Sequence, residues 1–272
     1  MSIKFAYTVN TPDTRAKALA WSGDMEAIFT KLRGMGYDGV ELFVREPAEL
    51  NPESFRRMLA NAGLTVAAVG TGQVLAEDKL FFTHEDPALR AQAVERVKTA
   101  IEFAAALNSQ VNIGKIRGDI SKNPDQPKWQ EDAFRQLEEH ARRLNVMITL
   151  EPQHRFGCDN LNSTQQALAW LKAMNLPNLK LMLDVFHMQI EDASIPASLI
   201  EARDMAIHVH FADTNRGAPG TGSIDFHQIL RMAKALEYDR FVSMEIAQTP
   251  DSETAARHAI QYVRALADAI WR

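Results

Sequence analysis

Short apolar runs alternate with helix-like segments eight times along this chain, and that rhythm restricts the fold more than anything else in the sequence. Runs of this length, bounded by turn residues, read as strands, and the longer amphipathic stretches between them read as helices. The first strand is expected at Ile3–Val9, followed by a helix that Asp24 caps and that runs to Gly34 or Met35. The second pair is Gly39–Phe43 and Pro52–Ala62, with proline in the first turn and Gly63 as the stop. Thr65–Val69 and Pro87–Leu107 follow, then Val111–Ile113 and Trp129–Leu144. In the second half a strand ending at Glu151 precedes a helix opened by Ser163 or Thr164, and a strand ending at Asp184 precedes a short helix at Ala197–Arg203. A strand ending near Phe211 precedes Phe226–Leu236, and one ending at Glu245 precedes a last helix reaching about Ala269.

Eight strand–helix units in 272 residues, with no low-complexity linker between them, predict an α/β protein built as a single (β/α)8 TIM barrel over residues 1–272. A doubly wound open sheet is the alternative. It fits less well, because no glycine-rich phosphate loop follows the first strand. Hydrophobic residues make up 46% of the chain, enough for a large core. The net charge of −5 argues against a nucleic-acid partner. Cys158 is the only cysteine, which excludes an intrachain disulfide and a cysteine-based metal site. No apolar stretch is long enough to span a bilayer, and the amino terminus lacks a signal pattern. Both absences give the expectation of a cytoplasmic protein with no membrane partner.

Four of the expected strands end in a group able to bind a metal: Glu151, Asp184, His210 and Glu245. They belong to strands five to eight, so a closed barrel would gather them at its C-terminal mouth, where this architecture places its chemistry. A lone carboxylate at a strand end is often a helix cap or an ion-pair partner. Four in register are different. Buried carboxylates so close would raise one another's pKa, and a cation between them removes that cost. Three oxygen ligands and one imidazole suit Mn²⁺, Mg²⁺ or Co²⁺. His208 shares a strand face with His210 but lies one layer deeper, and is read as a hydrogen-bonded core residue. Lys115 and Arg117, after strand four, are two cations at the mouth suited to a substrate carboxylate or phosphate. Tyr7 is expected to line the pocket floor, and Glu41, ending strand two, to touch substrate or pair with a cation.

The segments Leu150-Glu-Pro-Gln-His-Arg-Phe156, Leu183-Asp-Val-Phe-His-Met188, His208-Val-His-Phe-Ala-Asp-Thr-Asn-Arg216 and Ser243-Met-Glu245 resemble those of the xylose-isomerase-like TIM barrels, specifically the D-tagatose 3-epimerase-like branch of ketose 3-epimerases. The resemblance covers nearly the whole chain. It implies that Glu151, Asp184, His210 and Glu245 hold a Mn²⁺-type ion and that Glu151 and Glu245 exchange protons with substrate. It also implies that His187, expected on the loop after strand six, and Arg216 bind substrate oxygens. Homo-oligomers, dimers or tetramers, are the implied assembly.

Many family members carry a glutamate where this chain has Gly157, so that substrate contact is either lost or supplied by another group, with His154 as the candidate. Members acting on free ketohexoses tend to have an aromatic residue near Gly114–Gly118; none occurs here, which favours an acidic sugar. The implied reaction is epimerisation beside a ketone through a metal-stabilised enediolate. An aldose–ketose or hydroxypyruvate-type isomerase is the alternative at the same site. A multi-metal abasic-site endonuclease needs extra histidines at early strand ends, where this chain has Phe43 and Gly70. A non-catalytic sugar-binding barrel is disfavoured by the intact pair of glutamates.

Overall fold

In the computed structural model, which describes residues 3–271, eight parallel strands close into a barrel in sequence order, β1 pairing with both β2 and β8. The strands are β1 (Lys4–Asn10), β2 (Gly39–Phe43), β3 (Thr65–Gly70), β4 (Val111–Ile113), β5 (Ile148–Leu150), β6 (Leu179–Asp184), β7 (Ala206–Phe211) and β8 (Phe241–Met244). The helices are α1 (Met25–Met35), α2 (Pro52–Ala62), α3 (Gly72–Asp78), α4 (Pro87–Ala106), α5 (Gln126–Arg143), α6 (Thr164–Met174), α7 (Val185–Glu191), α8 (Ile195–Ala202), α9 (Phe226–Ala235) and α10 (Ser252–Trp271).

Local chemistry explains most of these boundaries. Asp24 accepts from the Ala27 amide and Gly36 closes α1 in the left-handed region. Asn51 caps α2 with Pro52 in its first turn. Ser163 and Gln166 form a reciprocal capping box at the start of α6. α5 begins at Gln126, three residues before the expected Trp129, because Pro127 is compatible with the first turn. Two short helices, α3 and α7, were not expected. The second corrects the placement of His187, which lies in a helix rather than a loop. Asp184 ends β6 and at the same time caps α7, accepting from the Phe186 amide at 2.8 Å.

The core lies between the strands' outer faces and the helices. Ile28, Phe29 and Leu32 of α1 and Val97 and Ile101 of α4 are almost wholly buried there. Such side chains each contribute on the order of 1.5–3 kcal/mol. Tyr7 belongs to this outer layer. Its ring packs edge-on against Trp21 and Tyr37, so it does not form the pocket floor. The reason is parity: Thr8 is in register with Glu41, which points into the barrel, so Tyr7 points out. Two register shifts interrupt the barrel. Val40 pairs with Val66 but Glu41 with Ala68, and Leu181 pairs with Ala206 but Met182 with His208. The extra residues, Ala67 and Ile207, are bulges that reset which side chains face inward.

Candidate active site

One ligand atom from each of Glu151, Asp184, His210 and Glu245 lies within 4.8 Å of the others. Barrel closure produces this. Asp184 pairs with His210 and His210 with Ser243. The Glu151 and Glu245 amides extend the pairing one residue past their strands, donating to Ile113 and Phe211. Gly114 makes room for Glu151, since a Cβ there would stand 2.6 Å from its Oε2.

The cluster is polar, buried and incompletely bonded. Glu151 Oε1 and His210 Nδ1 are buried with no hydrogen-bond partner, although unpartnered buried polar atoms are costly. Burial, and then the neighbouring Asp184 charge, push the Glu151 carboxyl above the usual carboxylate range; His210 and a 2.5 Å hydrogen bond from Gln153 only partly offset this. For Asp184 the balance falls the other way. Burial pushes its carboxyl up, but Arg216, His187 and His210 bring it below its ordinary value. The donor set and its orphaned atoms fit a divalent cation, with three carboxylates and one imidazole converging on a point where a positive charge would satisfy all of them.

Arg216 currently partly neutralises the cluster. It donates to Asp184 Oδ2 at 2.5 Å and to Glu245 Oε2, and its guanidinium stacks 4.8 Å from the Phe186 ring. Arg216 has a left-handed φ of 59°. Asp213 holds its loop in shape by accepting from the amides of Thr214, Gly220 and Ile224. His187 Nε2 lies 3.6 Å from Glu151 Oε1 and 3.7 Å from Asp184 Oδ2. Burial lowers its pKa to about 3, so the ring is neutral.

Above the cluster opens a cavity of about 570 Å³, within the usual range for small-molecule sites. Phe43, Leu75, Met182 and Phe186 supply apolar wall, and Lys115 and His154 stand among its polar groups. The Lys115 carbonyl accepts from the Gly118 amide, while its ammonium makes no ion pair or side-chain hydrogen bond among the described residues. A Cβ at position 157 would stand 2.8 Å from its Nζ and 3.3 Å from the His154 ring. The missing side chain of Gly157 is therefore what lets both groups sit where they do.

Arg117 is not a mouth cation. It is completely buried and donates to the carbonyls of Gly114, Glu151 and Asn160 at 2.9–3.0 Å. It ties the β4 and β5 loops together and does not line the cavity. Three contributors were missed or left open by the sequence: Gln153, Asp213 and Glu41. Glu41 acts through partners far away in the chain and Asp213 through backbone amides, whereas Gln153 donates from its side chain to Glu151, two residues earlier, a contact that strand periodicity does not register. The carboxylate after His208-Val-His-Phe-Ala was the one local signal for Asp213.

A parallel barrel with acids and an imidazole at its C-terminal rim defines an enzyme scaffold of the kind that places its chemistry at that rim. The family model described as xylose isomerase-like TIM barrel matches residues 29–266. A ketose 3-epimerase from Arthrobacter globiformis is 28% identical over 237 residues, 84% of this chain and 81% of the relative. A hydroxypyruvate isomerase from Escherichia coli strain K12 is 25% identical over 242 residues, 86% of this chain and 92% of the relative. The crystal structure of a 3-keto-D-glucoside 4-epimerase from E. coli superposes with a TM-score of 0.81, at 21% identity, over 97% of this chain and 99% of that one. The chain belongs to the xylose isomerase-like TIM-barrel family. It is an isomerase, of the kind that epimerises or isomerises sugars. No helix among the described residues is long and apolar enough to cross a membrane.

Proposed function

We propose that this chain is a divalent-metal-dependent epimerase that inverts the carbon beside the ketone of a ketose or keto-sugar acid, with Glu151 and Glu245 exchanging protons with the substrate. The observation that carries this reading is the convergence of three carboxylates and His210 at the base of a sugar-sized cavity, with Glu151 Oε1 and His210 Nδ1 left unpartnered. Glu151, Asp184, His210 and Glu245 would hold the ion; Mn²⁺ is the proposed metal, with Mg²⁺ and Co²⁺ as competitors. When bound, it would polarise the carbonyl and stabilise the negative charge of the enediolate.

The residues of the chain account for the remaining steps. Glu151 and Glu245 leave from strands separated by β6 and β7, so they approach a bound sugar from different sides. One carboxylate takes the proton from the carbon beside the ketone, and the other carboxyl returns a proton to the opposite face. The raised pKa of Glu151 suits a group that must both accept and release a proton. Neutral His187 and the Arg216 guanidinium face the cavity beside the ligand cluster and would orient substrate oxygens. Lys115, with His154 beside it, is the free cation that would hold a carboxylate or other anionic group at the far end of the sugar. The substrate is a small molecule, and a homo-oligomer is the proposed assembly.

The aldose–ketose or hydroxypyruvate-type isomerase remains a second reading, favoured by the hydroxypyruvate isomerase relative. Turnover of ketoses and keto-sugar acids in deuterated water, followed by NMR, separates the two. Deuterium at an inverted carbon with the carbonyl unmoved supports epimerisation. Migration of the carbonyl rejects it in favour of the isomerase.

A further inference from the structure

We propose that Glu41 is a positioning residue that holds His210 as the tautomer able to bind a metal, and so sets the metal affinity of the rim. This rests on the metal-dependent reading above. Glu41 is wholly buried inside the barrel. Its Oε2 lies 2.8 Å from His208 Nε2 and 2.9 Å from His210 Nε2, and its Oε1 accepts from Asn112 Nδ2 at 2.7 Å. Asn112 is fixed in turn by Thr149, whose hydroxyl donates to Asn112 Oδ1 at 2.6 Å. Ser243 Oγ lies 3.0 Å from His208 Nε2 and braces that ring from β8.

A ring nitrogen facing a carboxylate oxygen at 2.9 Å carries the proton. For His210 this assigns the hydrogen to Nε2 and, in the neutral ring, leaves a lone pair on Nδ1. That atom is buried, has no hydrogen-bond partner, and lies 3.4 Å from Glu245 Oε2 within the ligand cluster. Glu41, His210 and the rim thus form a carboxylate–imidazole–metal line in which the outer carboxylate sets both ring orientation and tautomer. Both bulges adjoin this line. Ala67 is the extra residue opposite the Val40–Glu41 step, and Ile207 immediately precedes His208. Glu41, His208 and His210 also bring three ligand atoms within 4.8 Å of one another. The facing nitrogens of both rings already share one Glu41 oxygen at hydrogen-bond distance, so that oxygen is satisfied by the protein.

The test compares Mn²⁺ binding by the chelated wild-type chain and by Glu41→Gln, using titration calorimetry or the electron paramagnetic resonance signal of free Mn²⁺. An amide N–H facing His210 Nε2 moves the ring proton to Nδ1, so the expected result is a Mn²⁺ dissociation constant raised roughly 10–100-fold. The metal-free Tm should change far less than the affinity, and kcat at saturating Mn²⁺ should recover substantially. Equal Mn²⁺ affinity within twofold, in a folded variant, overturns the role of Glu41 and leaves the metal site standing. A wild-type chain that binds no Mn²⁺, Mg²⁺ or Co²⁺ overturns the metal reading itself and this inference with it. If Glu41→Gln does not fold, long-range ¹H–¹⁵N spectra of the metal-free wild type at alkaline pH decide. A proton on His210 Nε2 supports the proposal, and one on Nδ1 overturns it.

Discussion

Two carboxylate–imidazole layers lie one above the other inside this barrel and share His210. In the lower layer both oxygens of Glu41 are bonded by protein donors, His208, His210 and Asn112. In the upper layer Glu151 keeps an oxygen with no partner, and Arg216 supplies the cation for Asp184 and Glu245. Burial opposes ionisation in both, but the outcomes differ. Burial pushes the Glu41 carboxyl up, and the two imidazoles overcome this and hold it well below the usual range, whereas Glu151 stays raised. A carboxylate satisfied by its own protein is a fixed part of the frame. One left short of donors costs free energy until a ligand arrives, which supports the proposal that the upper layer is the working one.

The largest test of that division is Glu245→Gln, which should lower kcat by about 10²–10⁴-fold while weakening substrate binding much less. Equal losses in turnover and in directly measured substrate affinity would remove the proton-transfer role. Next is Arg117→Ala. It leaves buried carbonyls of both mouth loops unpaired and should destabilise the fold by about 3 kcal/mol or more, read by urea unfolding; a stable variant with raised KM would return Arg117 to the substrate. Chelation should abolish turnover, and Mn²⁺ at a hundred times its dissociation constant should stabilise the metal-free chain by about 2.7 kcal/mol. A Tm unmoved by Mn²⁺, Mg²⁺ and Co²⁺ would show that the upper layer is not a metal site.

Lys115→Ala should raise KM for acidic sugars by up to about tenfold, roughly 1.4 kcal/mol, with little change for neutral ones. An unchanged preference would remove charge recognition from the mouth. The smallest effect concerns Glu191 of α7, which accepts from the backbone and guanidinium of Arg155 and so ties down the loop carrying His154. Hydrogen bonds from Arg155 hold the Glu191 carboxyl below its ordinary value. A depressed folded pKa means the tie is complete above the unfolded value of about 4.3 and is lost only as pH falls through the lower folded value. KM should therefore be insensitive to this pair from about pH 8 to 5, and Arg155→Ala should change it by no more than about threefold. A larger change near neutral pH would give the loop tie a greater share in binding.

Much of the architecture was legible because strand and helix periodicities are local. Gly39–Phe43, Pro52–Ala62 and Val111–Ile113 coincide with the expected elements to the residue. The rim cluster was legible for a related reason: Glu151, Asp184, His210 and Glu245 each sit at or just past the end of an apolar run, and closure of eight such runs brings their ends together. The short helices α3 and α7 were not legible. α7 depends on Asp184 serving as its cap while ending a strand, two assignments that a strand pattern alone keeps apart. Tyr7 was misplaced by one step of strand parity.

By itself the sequence determined the eightfold repeat and the strand ends that carry acids and imidazoles, because these follow from residue type and spacing along one segment at a time. Only the tertiary structure decided that Lys115 faces the cavity while Arg117, two residues on, turns into the protein to bond carbonyls near Glu151 and Asn160. It likewise decided that both Glu41 oxygens are bonded by His208, His210 and Asn112. Both outcomes depend on polar atoms supplied by segments tens of residues away, and a buried group goes where its hydrogen bonds can be completed.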